Sequence, residues 1–269
     1  MKYKFNYSMP IYPAIGNHEF FPVDEFNPFN STDNFVTFNL TGSLWKDWIG
    51  YEAVNKYIEN GYYTIYNKEL NLRIIAMNTM DCDTINFNLI INPTDPANQV
   101  INLIIKFAWM ESVLRSAEKA GEYVFMIGHI PPGDANYLSE CSQRYNALID
   151  RFSYIIKGQF FGHTHYDEFK IVHEYFNKTN IAGVIFTAPS VTTYTNRMPS
   201  FRVYEVNANN NDLVDYNQYF LNLTKANLNP DTKPTWDLQY TATKDFKVKN
   251  LMDYERFHNI TQEIRVKYE

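Results

Sequence analysis

A chain of 269 residues with 45% hydrophobic residues is globular in composition, one large domain or two small ones, and is not a disordered or fibrous protein. Its net charge of −6 gives no general attraction to nucleic acid or an anionic membrane. Two cysteines are too few for a disulfide framework, and the most apolar run, 100–110, is broken by Asn102 and Lys106 and too short to span a bilayer. In chain order, Ile11 to Ile15 reads as a short strand that runs into Gly16-Asn17-His18-Glu19. Leu44 to Glu59 reads as a helix ended by Asn60-Gly61, and Tyr62 to Tyr66 and Leu72 to Asn78 as two strands of a hairpin or meander. A turn at 92–96 leads into the strongest helix, Asn98 to Ala120, with Val113, Leu114 and Ala117 at helical spacing and Gly121 as its stop.

Tyr123 to Ile127 is a near-continuous apolar run, expected as a strand buried on both faces, and it delivers Gly128-His129. A helix over Leu138 to Ile156 precedes a short strand, Gln159 to Phe161, which delivers Gly162-His163-Thr164-His165. Strands follow at Phe169 to Tyr175, Val184 to Thr187 and Phe201 to Val206. Beyond Leu223 the pattern loosens until a last helix, Met252 to Val266. Alternating strands and helices followed by a strand-rich half predict α/β layers around a sheet sandwich. No internal repeat, low-complexity tract or linker interrupts the chain.

Three strand ends share one design: an apolar strand, a glycine, then side chains able to hold a metal ion. They are Gly16-Asn17-His18-Glu19, Gly128-His129 and Gly162-His163-Thr164-His165, and they contain four of the six histidines. Side chains just past strand ends are held rigidly yet stay accessible. Imidazole suits zinc, iron and related ions, and an amide oxygen can complete such a site. His173 and His258 lie outside these segments and read as structural histidines.

The three segments resemble the calcineurin-like metallophosphoesterases. The wider context narrows the resemblance to the acid sphingomyelinase family and its sphingomyelinase-like phosphodiesterases. It rests on Ile11 to Glu19, Gly128-His129-Ile130-Pro131-Pro132-Gly133, Phe160 to Phe169, Thr94-Asp95-Pro96, Ala188 to Tyr194 and Leu221 to Asn227, and extends over residues 9–240. It implies an α/β fold, a sandwich of two mixed sheets flanked by helices. The catalytic domain would occupy 1–223, and 224–269 would begin a C-terminal helical subdomain. It implies two divalent metal ions, zinc above all. Asn17, His129 and His163 would bind one ion and His165 the other. His18 would stabilise the transition state and give a proton to the leaving oxygen, and Glu19 would be structural. The implied reaction splits sphingomyelin into ceramide and phosphocholine. Soluble nucleotide phosphodiesters are the alternative substrates, and a non-catalytic lipid- or partner-binding role is the alternative to enzymology. Neither nucleic-acid binding nor a transmembrane segment is expected. Cys82 and Cys141 read by themselves as two separate buried thiols; the family implies a disulfide between them.

The chain also departs from the family. An Asp-x-His and a Gly-Asp are expected well before the first segment, yet the fifteen residues preceding Gly16 contain neither Asp nor His. Part of the metal site and the first strands of the sheet are therefore expected to be missing, as in a fragment of a longer protein. Seven extra residues, Val100 to Lys106, lengthen the 98–120 helix by two turns, unless they are translated intron. No signal-peptide pattern is present, but six N-x-S/T sequons, at Asn6, Asn30, Asn39, Asn177, Asn222 and Asn259, point to a secretory glycoprotein, and the family resemblance implies a secreted or lysosomal one.

Overall fold

The computed structural model describes residues 9–27, 31–91, 96–194 and 196–268. The chain forms two compact units, Met1–Tyr145 and Asn146–Glu269. Residues 92–95 of the turn expected at 92–96, and the sequons at Asn6 and Asn30, lie outside the described residues.

In the first unit, residues 11–15 are not a strand. Pro10 and Pro13 carry no N–H for a ladder, and the segment is tied down by the Tyr63 hydroxyl, which donates to the Pro13 carbonyl at 2.6 Å. A 3-10 turn follows at Asn17–Glu19. Helix α1 (Ser31–Asn60) starts well before the expected Leu44 and is split at Gly50, whose φ of 78° and ψ of 161° only glycine adopts without strain. The hairpin forms as expected: β1 (Tyr63–Asn67) and β2 (Leu72–Ala76) pair antiparallel. A 3-10 turn at Met80–Cys82 and the short α2 (Asn88–Ile91) lead to α3 (Pro96–Ala120). Residues 100–106 lie inside α3, so two added turns accommodate them. β3 (Tyr123–Ile127) pairs parallel to β2. It is not sealed on both faces, since Val124 and Met126 are buried while Tyr123, Phe125 and Ile127 are only half-buried. The last element of this stretch is α4 (Ser139–Arg151), shorter than expected at its C-terminal end.

Burial of aromatic and aliphatic side chains holds this unit together. Phe20, Phe26 and Phe38 meet ring to ring at 5.4–6.0 Å, and Phe38 continues to Tyr57 at 5.4 Å. Each such side chain contributes about 1.5–3 kcal/mol when removed from water. Arg73 on β2 grips Glu122, just before β3, with Nε–Oε2 at 2.5 Å and Nη2–Oε1 at 3.0 Å. Cys82 and Cys141 form a disulfide across a separation of 59 residues, with their Cα atoms 6.0 Å apart. The two cysteines are therefore not separate thiols. Lys106, at the end of the seven-residue departure, is buried: its ammonium donates to the Asn78 carbonyl at 3.0 Å and lies 3.3 Å from the Asp81 carboxylate. Burial pushes the Asp81 pKa up, and Lys106 opposes it.

The second unit contains a mixed sheet of β4 (Ile156–Phe161), β5 (Glu168–His173) and β6 (Ile181–Thr187), with β6 in the middle, parallel to β4 and antiparallel to β5. β6 is apolar along nearly its whole length and buried accordingly. A second, antiparallel sheet follows: β7 (Ser200–Val206), β8 (Leu213–Leu221), then past α5 (Leu223–Leu228), β9 (Trp236–Thr241). β8 and β9 have no counterpart among the predicted strands. Helices α6 (Ala242–Phe246) and α7 (Tyr254–Tyr268) complete the chain, so residues beyond 223 supply a strand as well as helices. Phe186 of β6, Tyr216 of β8 and Phe257 of α7 are fully buried, with ring centroids 5.7–6.1 Å apart about Phe186. No helix among the described residues is long and apolar enough to cross a membrane.

Candidate functional site

Two of the expected metal-binding side chains meet in the first unit. The His129 ring, just past the end of β3, places Nε2 2.7 Å from Asn17 Oδ1. Asn17 is buried and His18, next in the chain, is exposed. Gly16 makes the approach feasible: a Cβ there would lie 2.9 Å from His129 Nδ1 and 3.0 Å from Cε1. Its N–H donates to Glu19 Oε2 at 2.8 Å, which gives Glu19 a role in holding the turn. On the other side of Asn17, Nδ2 donates to Asp24 Oδ1 at 2.7 Å.

The loop that carries His129 is anchored from below. The Ile130 N–H donates to the fully buried Thr79 hydroxyl at 2.9 Å. Asp83 and Tyr137 form an isolated antiparallel bridge, and Leu138 N–H donates to the Cys82 carbonyl at 2.8 Å. The disulfide closes the same region. Asp83 is fully buried; Oδ1 accepts from Ile85 N–H at 2.9 Å and Oδ2 has no hydrogen-bond partner among the described residues. Burial pushes this carboxyl up to about 6; the Ile85 hydrogen bond opposes the rise and the charges of Asp24 and Glu25 add to it.

His163 and His165 belong to the second unit, in the loop between β4 and β5. Both have left-handed backbones, with φ of 70° and 62°. Such angles are uncommon for residues other than glycine and persist only where the surroundings enforce them. The His165 ring meets Tyr194 edge to face at 6.0 Å. Two residues on, Asp167 accepts from both Arg202 and the Tyr240 hydroxyl. The Arg202 side chain is 1% exposed. It also donates to Gln218 Oε1 at 2.7 Å and to the Thr187 carbonyl at 3.1 Å, and it lies over the Tyr216 ring. Burial alone would lower the pKa of this guanidinium, but Tyr204, Tyr216, Asp167 and Tyr240 hold it above its ordinary value.

Sequence reasoning did not single out Asp24, Thr79, Asp167, Arg202 or Tyr240 as site residues. Asp167 alone carried a signal, its place directly after Gly162-His163-Thr164-His165. The remaining sequons divide by exposure. Asn177 is exposed, and its Oδ1 accepts from the Thr179 hydroxyl at 2.6 Å. Asn222 caps α5 by accepting from Lys225 N–H at 2.9 Å. Asn39 Nδ2, the atom that would carry a glycan, is buried. Among the described residues no group of three or more His, Cys, Asp and Glu is arranged to hold a metal ion. The Asn17–His129 pair nevertheless fits part of such a site, because an amide oxygen and an imidazole nitrogen converge where Gly16 leaves room.

Residues 1–167 match the calcineurin-like phosphoesterase family, and residues 174–268 match the C-terminal region of acid sphingomyelin phosphodiesterase. The chain is 35% identical over 269 residues to human sphingomyelin phosphodiesterase, covering 97% of this chain and 41% of that protein. It is 35% identical over 258 residues to sphingomyelin phosphodiesterase B of Dictyostelium discoideum, covering 93% and 39%. It is 32% identical over 258 residues to human cyclic GMP-AMP phosphodiesterase SMPDL3A, covering 91% and 53%. The chain thus spans about two fifths of the sphingomyelin phosphodiesterases it matches. Family members use divalent metal ions, which agrees with the donor atoms gathered at Asn17 and His129. By these matches and by its α/β fold, the chain belongs to the acid sphingomyelinase branch of the calcineurin-like phosphoesterases.

Proposed function

We propose that the chain carries part of a metal-dependent phosphodiesterase site that hydrolyses sphingomyelin to ceramide and phosphocholine. The observation that carries this reading is the convergence of Asn17 Oδ1 and His129 Nε2 at 2.7 Å. The relatives named sphingomyelin phosphodiesterase support the substrate. Asn17 and His129 would hold a divalent ion, zinc in this reading. His163 and His165 would supply imidazoles from their own loop. Bound ions of this kind act as Lewis acids on phosphate oxygens and lower the pKa of the attacking water.

The chain's own residues do the rest. His18 follows Asn17 directly and is exposed, so its ring can reach a bound substrate. As water oxygen bonds to phosphorus and the bond from phosphorus to the ceramide oxygen breaks, His18 gives its proton to that leaving oxygen. Gly16 keeps the His129 ring close to Asn17, and Glu19 holds the turn that carries both Asn17 and His18. The disulfide and the exposed sequon at Asn177 support a secreted or lysosomal glycoprotein, with Asn222 as a further acceptor and Asn30 a candidate by sequence alone. Asn39 would need local opening to be modified.

A second reading, hydrolysis of soluble nucleotide phosphodiesters, is favoured by the relatives named cyclic GMP-AMP phosphodiesterase, of which the chain covers 53–57%. The test is direct. Purified protein that contains this chain together with the remainder of the site, supplied with zinc, is given sphingomyelin in detergent micelles, a cyclic dinucleotide or a nucleoside triphosphate. Phosphocholine release is the expected outcome. Nucleotide cleavage without phosphocholine release moves the second reading forward, and lipid binding without turnover replaces both with a non-catalytic role.

A further inference from the structure

A carboxamide can be turned over without changing its shape, exchanging a donor for an acceptor. For Asn17 the two orientations are chemically opposite. One aims an oxygen at the His129 ring; the other aims an NH2 group there, useless to a cation. We propose that Asp24 is the positioning residue that fixes this choice. It thereby turns Asn17 and His129 into a pair of donor atoms facing a common point.

The geometry supports the assignment from both ends. Asn17 Nδ2 lies 2.7 Å from Asp24 Oδ1. Asp24 Oδ1 accepts this hydrogen bond, so the group facing it is the NH2. The inverted amide would set two oxygens against each other at that distance. A carboxylate is a stronger acceptor than a neutral group, so the inverted form, which loses this hydrogen bond and gains a repulsion, is the minor state. The Asn17 oxygen then faces His129 Nε2, and because an amide oxygen cannot donate, Nε2 carries the proton of the metal-free ring. Loss of that proton leaves an oxygen and a nitrogen lone pair side by side.

The fold delivers Asp24 to this point. The Phe20 and Asp24 N–H groups both donate to the Asn17 carbonyl, at 3.4 and 3.3 Å, curling the loop back on itself. Phe20 and Phe26 bury their rings against Phe38 on either side of the curl. The Phe26 carbonyl accepts from Asn86 Nδ2 at 2.6 Å. Asp24 itself has φ of 70°, a conformation that Asp and Asn enter more readily than most residues. The loop thus holds an uncommon backbone angle at the residue that contacts Asn17.

This inference rests on reading Asn17 and His129 as metal donors, and two variants of the full chain separate the two claims. Asp24→Gly removes the acceptor but keeps the left-handed backbone unstrained; Asp24→Asn keeps the backbone but offers Asn17 an NH2 as readily as an oxygen, so it no longer forces the choice. In the metal-free protein, nitrogen NMR of His129 is expected to show a single Nε2–H tautomer in the wild type. Exchange between tautomers is expected in both Asp24→Gly and Asp24→Asn. Zinc affinity is expected to fall about 10–100-fold in Asp24→Gly and by less in Asp24→Asn, where one of the two amide orientations still holds Asn17 as in the wild type. An unchanged tautomer in Asp24→Gly overturns the positioning role. A tautomer change in a chain that binds no zinc in any form leaves the role of Asp24 standing and overturns the donor-pair reading. Equal zinc affinity in all three forms denies Asp24 any part in ion binding.

Discussion

The two histidine-bearing regions reach rigidity by different routes. At Asn17 and His129 side-chain hydrogen bonds set the donor atoms, with Gly16 extended and the left-handed residue displaced to Asp24. At His163 and His165 the backbone itself is left-handed at both residues, and a buried arginine anchors the loop through Asp167. A hydrogen-bonded pair can be disturbed one atom at a time. A backbone held against its preference persists only while its surroundings enforce it.

Four perturbations would break or sharpen this contrast. The largest falls on the disulfide beneath the His129 loop. Cys141→Ser is expected to cost about 4 kcal/mol, from the chain entropy regained when a closure of 59 residues is released. The denaturation midpoint of Cys141→Ser should fall below that of the oxidised wild type and match that of the wild type with reductant; no change would mean that the first unit needs no covalent tie. Next, Arg202→Met should cost about 3 kcal/mol, since it removes the donors to the Thr187 carbonyl and to Gln218 Oε1 and leaves Asp167 without its cation, held by the Tyr240 hydroxyl. The same variant should shift the NMR signals of His163 and His165 while leaving His129 unmoved. A stable Arg202→Met with unmoved loop histidines would refute the anchor.

The third concerns pH and belongs to the first unit. Folded Asp83 keeps its proton up to about 6, whereas the ordinary value is 3.8. Between those values the folded state binds more protons than the unfolded one, so stability falls as pH rises through this window. The loss is about 3 kcal/mol by pH 7, and Asp83→Asn should flatten the slope in denaturant titrations at pH 4 and pH 7. The smallest effect on stability is Gly16→Ala, about 1 kcal/mol, because its Cβ would press on the His129 ring at 2.9–3.0 Å. Its effect on phosphodiesterase activity should be larger, about 10–100-fold, as expected when one group of a positioned set is moved. Equal activity in Gly16→Ala would show that His129 need not sit against Asn17.

The legible parts of the sequence were the local ones. Helix α3 and the β1–β2 hairpin followed from spacing and turn residues, and Gly121 stopped α3 as expected. The expected Ile11 to Ile15 strand does not form, because Pro10 and Pro13 deny this apolar run a ladder. β8 was missed because Asp215, Asn217 and Gln218 break its apolar alternation. Asp215 accepts from Thr243 and Asn217 from Thr241, while Gln218 lies buried against Arg202. Polar residues with buried partners look like loop until the partners are known.

The sequence by itself determined the residue types at three glycine-led segments, and with them the family. It also determined, through that family, the pairing of Cys82 with Cys141. Only the tertiary structure decided which way the Asn17 amide faces, that Asp24 reaches it, and that Arg202 anchors a loop 35 residues away. The reason is physical: periodicity and turn chemistry report which faces are buried and where the chain reverses. Hydrogen-bond direction and ion pairing are fixed by partners that only folding brings within 3 Å.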